Sequence, residues 1–223
     1  MESAAPLSRA RLWRAQALIG AAPVLVWAGL HLWEQWASFA GRSAYAARVA
    51  ATSHGAAAIA TELLLAIAPA LAWIGLELHL RRGEEPPALV GAMAEEPETA
   101  RRLGLLVKAG SWLFFAWLLF HVGWLWWPKL VEGSDPIRSW IQLRAGMGAW
   151  AIAIPNAIGL TAFGLHVWGA VPRALVAFGL GAEPSTRRTT RLCAGLVAVA
   201  FVVLYAQLAG WHAAGAGTLW SLE

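Results

Sequence analysis

Long apolar stretches alternate with short polar ones along the chain, and the apolar stretches have the length of membrane-crossing helices. About 20 apolar residues in helical form span a hydrocarbon layer. Five stretches reach that length, at about 15–36, 55–80, 107–127, 146–171 and 192–213. The connections gather the charges, prolines and turn formers, as in Arg81-Arg82-Gly83-Glu84-Glu85-Pro86-Pro87 and Glu183-Pro184-Ser185-Thr186-Arg187-Arg188. The pattern predicts an all-α fold, an integral membrane bundle of five transmembrane helices forming one domain over residues 1–223. Pro69 and Pro155 fall inside predicted helices 2 and 4, where neighbouring groups in a bundle can satisfy the freed carbonyls, so kinks are expected there.

Composition agrees. Hydrophobic residues make up 59% of the chain and charged residues 13%, against roughly a quarter charged in a soluble domain. The net charge of +4 does not indicate nucleic acid, because the basic residues sit at the ends of apolar stretches. They read instead as orientation signals. The N-terminus, the 2–3 loop with its flanks and the 4–5 loop hold Arg9, Arg11, Arg14, Arg81, Arg82, Arg101, Arg102, Lys108, Arg173, Arg187, Arg188 and Arg191. The opposite side holds Arg42, Arg48, Lys129, Arg138 and Arg144, so the N-terminus is expected in the cytoplasm. Trp33, Trp36, Trp124, Trp126, Trp127, Trp140, Trp150 and Trp211 fall near the outer ends, as interfacial belt residues do. The run from Ala15 to Trp33 follows three arginines but is too long for a signal-peptide core, and is read as retained helix 1. The single cysteine, Cys193, excludes an internal disulfide and a cysteine metal cluster, and reads as a buried, inert thiol.

Ionisable side chains inside a bilayer are costly and mark function. Depths follow from the helical rise of 1.5 Å per residue, counted from the nearest inner charge. His31 is about 25 Å deep, His121 about 20 Å, His166 about 10 Å and His79 about 3 Å. Predicted helices 1 and 3 thus offer one pair near the outer face, and helices 2 and 4 another near the inner face. Two imidazoles from parallel helices, at one depth, are what a haem iron needs. Zinc fits less well, since no i, i+4 histidine pair or nearby cysteine completes a tetrahedral site.

Four histidines on the first four of five helices, spaced 48, 42 and 45 residues apart, resemble the di-haem cytochrome b anchor of succinate dehydrogenases and fumarate reductases. The resemblance covers almost the whole chain as a pattern of helices and ligands and contains no contiguous motif. It implies His31 and His121 as axial ligands of a distal haem b, and His79 and His166 of a proximal haem b. It implies a multi-pass protein of the bacterial cytoplasmic membrane that anchors an iron–sulfur subunit and a flavoprotein subunit, passes electrons to or from menaquinone or another quinone, and leaves the dicarboxylate chemistry to those partners. The Arg81–Arg102 loop is the expected docking surface. One departure stands at Gly164, where some fumarate reductases carry a proton-linked glutamate two residues before the fourth ligand.

His54 opens predicted helix 2 on the outer side with Glu62 two turns on, and the two are candidates for hydrogen bonding and proton exchange with a quinone. Glu77 is expected to pair with Arg81, Asn156 to satisfy the kink at Pro155, and His212 to lie at the interface beside Trp211. Two other functions compete. One is the di-haem gamma subunit of a respiratory nitrate reductase, a family that tends to put two ligands on one helix. The other is a small transporter with an ion path through Glu62, Glu77 and the histidines.

Overall fold

The computed structural model describes residues 9–52, 55–80, 98–132, 135–180 and 183–215. All regular structure among them is helical: α1 (Arg9–Trp36), a 3-10 turn (Ala37–Ala40), α2 (Arg42–Thr52), α3 (Gly55–Glu62), a π-helical turn (Leu63–Ile67), α4 (Ala68–Leu80), α5 (Glu98–Glu132), α6 (Pro136–Gly148), α7 (Trp150–Ala177) and α8 (Pro184–Gly215). Five stretches are long and apolar enough to cross a membrane: Arg9–Ala40, Ala57–Leu80, Gly104–Trp124, Trp150–Ala177 and Arg188–Ala214.

These match the five stretches predicted from sequence, with two additions at the connections. The segments after the first and third spans each carry a short helix, α2 and α6. Both are less apolar than the spans, and their periodicity was too short to register as one. The apolar pattern predicts helix 4 from residue 146, but the backbone is extended at Ala149, so α6 ends and α7 begins there. Asp135 caps α6 by accepting from the Ile137 amide at 2.9 Å, with Pro136 in the first turn. Gly41, at φ +99°, makes the turn into α2 that a side chain would resist.

The proline effects are local. Pro69 has no amide for the carbonyl one turn back, and the helix widens just before it: the Ala68 amide reaches Leu63, five residues back. Helix α7 continues through Pro155 and Pro172, and α1 through Pro23.

Helix α7 is central and packs on α1, α5 and α8, while α4 lies against α1. Phe114, Phe115, Leu118, Phe163, Val167, Trp27 and Trp73 fill the interior. Close approach of α5 and α7 depends on Gly159, where an added Cβ would come within 2.2 Å of the Trp117 ring. The bundle's exterior is apolar: Leu64, Leu105 and Leu196 are all at least two-thirds exposed, at 67%, 68% and 71%. Water would penalise such a surface and lipid would not. At one end, α2 and α6 pack on each other and α6 on α8, around Tyr45, Val49 and Trp140.

Candidate functional site

Parallel helices α1 and α5 bring His31 and His121 together. The two rings lie 6.1 Å apart with their planes at 89°. His31 is stacked on Trp27 of its own helix at 5.2 Å, and Tyr205 of α8 lies 6.3 Å from it. His121 rests against Trp117 at 4.5 Å, and its Nδ1 is 3.0 Å from Asn156 Oδ1 on α7. The amide's own Nδ2 donates to the Ile152 carbonyl at 2.9 Å, which fixes which way the amide faces. An amide oxygen only accepts, so Nδ1 of His121 carries the proton and Nε2 is the nitrogen suited to a metal. A metal held by two imidazoles at about 2 Å each sets the ring centroids roughly 6 Å apart. The spacing of the His31 and His121 rings matches that of two imidazoles on one metal, so these are the two residues that would hold an iron at this level.

The inner level is arranged differently. His166 on α7 is buried at 1% exposure, with Nε2 bonded to the Gly20 carbonyl at 2.7 Å and Nδ1 to Ser111 Oγ at 2.9 Å. Trp73, Phe114 and Phe115 surround its ring at 6.1, 5.1 and 4.8 Å. Gly20 lets Trp73 reach this position, since a Cβ there would meet the indole at 2.7 Å. His79 is exposed at the end of α4, six residues beyond Trp73 and so about 9 Å further along the axis. Both His166 nitrogens are engaged by protein groups, so in this arrangement His166 has no nitrogen open to a haem iron. The depths read from sequence already differed by about 7 Å for His79 and His166.

Between these levels and the α4 end lies a buried carboxylate. Glu77 accepts from Gln16 Nε2 at 2.6 Å and pairs with Lys108 at 3.7 Å, tying α1, α4 and α5 together. Its expected partner Arg81 lies outside the described residues, as do His54 and the loop up to residue 97. Arg9 donates to the Leu80 carbonyl. Glu62, the other expected quinone group, closes α3 next to the π turn, and its Oε2 accepts from Trp27 Nε1 at 2.8 Å. Glu62 is thereby linked to the indole on which His31 stacks. At Gly164 an added Cβ would meet Val202 at 2.9 Å, so α8 occupies the space a glutamate would need. Cys193 is exposed, not buried as the sequence suggested, because it lies on the outward side of α8. Among the described residues, no group of three or more His, Cys, Asp or Glu side chains is placed to hold a metal ion.

Toward the α2–α6 end, His212 of α8 is buried at 1% exposure with no hydrogen-bond partner on either nitrogen among the described residues. Arg144 of α6, 5% exposed, lies over the rings of Trp140 and Trp211 at 4.6 and 4.8 Å. Burial, and then the charge of Glu34, push the Tyr45 hydroxyl well above the ordinary tyrosine range, so it stays protonated.

The sequence assigned Asn156 only to the kink at Pro155 and Arg144 only to orientation, and Ser111 and Trp27 drew no reading. The contacts of Asn156 and Ser111 with the histidines could have been found by the depth count used for the histidines themselves. Asn156 lies ten residues before His166 and Ser111 ten before His121, which puts each at the level of the other helix's histidine. Comparison of the chain with protein-family models, with curated proteins and with solved structures finds no match.

Proposed function

We propose that this chain is a membrane-embedded electron carrier that holds b haem between His31 and His121 and exchanges electrons with a quinone, as the anchor of a succinate dehydrogenase or fumarate reductase. The observation that carries this reading is the His31–His121 pair, perpendicular rings 6.1 Å apart on parallel helices. Asn156 supports it as the hydrogen-bonding partner that metal-ligating histidines require on their other nitrogen. A haem bound there would supply one-electron exchange between ferric and ferrous iron. The chain's own groups do the rest: Trp27 and Trp117 pack against the ligand rings, and Asn156 fixes the His121 tautomer. Glu62 is linked to this pair through Trp27, which donates to it and stacks on His31, and is suited to proton exchange during quinone turnover.

In this account the apolar exterior faces lipid, the N-terminus is cytoplasmic by the excess of basic residues, and the Arg81–Arg102 loop meets the iron–sulfur and flavoprotein partners. A second haem between His79 and His166 would require His166 to release the Gly20 carbonyl while keeping Ser111.

The test is an absorption spectrum of the purified chain with its haem-to-protein ratio. An intense Soret band with acid-extractable haem is expected. A ratio of two means the inner level rearranges around His79 and His166, and a ratio of one leaves His166 a structural residue. A chain without bound haem overturns the reading and favours a transporter.

A further inference from the structure

The end of the bundle beyond the His31–His121 pair holds a group of buried polar atoms that the electron-transfer site leaves unused. Among the described residues, Arg144 Nε, Trp140 Nε1, Gln35 Oε1 and both ring nitrogens of His212 are buried and make no hydrogen bond. Folded proteins rarely leave so many such atoms together, because each one costs free energy unless something bonds it. The group spans three elements. Gln35 ends α1 and reaches the Tyr45 hydroxyl of α2 at 3.4 Å. Trp140 and Arg144 come from α6, and Trp211 and His212 from α8. The surroundings are flat and apolar: the Arg144 guanidinium lies over two indoles, Phe39 packs on Trp211 at 5.4 Å, and Val49 and Leu143 close the cluster.

We infer that Arg144 and His212 bind the oxygen-bearing headgroup of a quinone, with Trp140 and Trp211 flanking its ring. This rests on the electron-transfer reading above and names where its substrate sits. The donors there are one cation, one indole and one imidazole, which suits carbonyl oxygens on a flat ring. A phosphate would call for several charge-assisted donors. Location favours it too. His212 is seven residues beyond Tyr205, about 10 Å along α8 from a ring that lies 6.3 Å from His31, and Gln35 is one turn beyond His31 itself. A headgroup in this place lies just outward of the ligand pair, at the end the tryptophan belt assigns to the outer face.

The probe is 2,3-dimethyl-1,4-naphthoquinone, with binding to the full chain in lipid nanodiscs measured by equilibrium dialysis. Arg144→Gln and His212→Leu should each weaken it at least about tenfold, with the thermal midpoint and any Soret band retained. An azido-naphthoquinone should label peptides of α6 or α8 in the unsubstituted chain, a measurement that needs no variant to fold. Unchanged affinity in both variants overturns the assignment. So does labelling confined to α3 or α5, or loss of affinity in Glu62→Gln alone. Loss of co-purified phosphatidylglycerol from the variants, with naphthoquinone affinity intact, would overturn it in favour of a lipid phosphate. The two readings fail separately: a haem-free chain that binds quinone through Arg144 overturns only electron transfer, and a haem-loaded chain that binds it elsewhere overturns only this site.

Discussion

Asn156 on α7 bonds His121 on α5 at 3.0 Å, and ten residues away along each helix, in opposite senses, Ser111 on α5 bonds His166 on α7 at 2.9 Å. One antiparallel register of two helices thus supplies a polar partner to both His121 and His166. The same register seats Trp117 on Gly159, with no Cβ between them.

Removing the partner should loosen the ligand. In Asn156→Leu the His121 ring loses the bond that fixes its tautomer, and affinity for haem at the outer level should fall by about 10–100-fold. Titration of the apoprotein with hemin measures this. Unchanged affinity would show that Asn156 serves only the helix beside Pro155.

Gly159→Ala tests the register itself. The new methyl would collide with the Trp117 ring, costing about 1–3 kcal/mol by overpacking. Since Trp117 lies against His121, the outer-level spectrum should shift along with the thermal midpoint. A lowered midpoint with an unchanged spectrum would uncouple packing from the ligand.

For Glu62 the expected effect is on rate. Glu62→Gln keeps an acceptor for Trp27 and removes the titratable proton, so the ligand pair should keep its spectrum and naphthoquinone its affinity. Quinone-linked turnover should fall at least about tenfold, while succinate oxidation with an artificial acceptor survives. Normal turnover would remove Glu62 from proton exchange.

Orientation is testable with single cysteines after replacing the exposed Cys193 with serine. Ser43→Cys on α2 should react with an impermeant maleimide added to intact cells, and Thr186→Cys at the start of α8 should not. The reverse would put the N-terminus outside.

Much of this was legible in the sequence because bilayer thickness and helical rise set the answer almost alone. The five spans and the pairing of His31 with His121 follow from those two lengths. What stayed hidden depends on rotation about the helix axis, which depth does not report. His166 and His79 were paired by approximate depth, yet one points into a nest of Trp73, Phe114 and Phe115 and the other outward from the end of α4. Arg144 read as an outer charge, and only the folding of α6 onto α8 buries it between Trp140 and Trp211. Glu77 was assigned a neighbour four residues on, but the partners described for it are Gln16 and Lys108, from two other helices.

On the proposed function, His31 and His121 jointly hold one haem iron. The direct measurement is low-temperature electron paramagnetic resonance of the oxidised chain, compared with His31→Ala and His121→Ala. A low-spin signal of two axial histidines should be present in the unsubstituted chain, and each variant should lose the same signal. Two variants that each retain the full set of haem signals, or a haem-free unsubstituted chain from haem-sufficient cells, would contradict it.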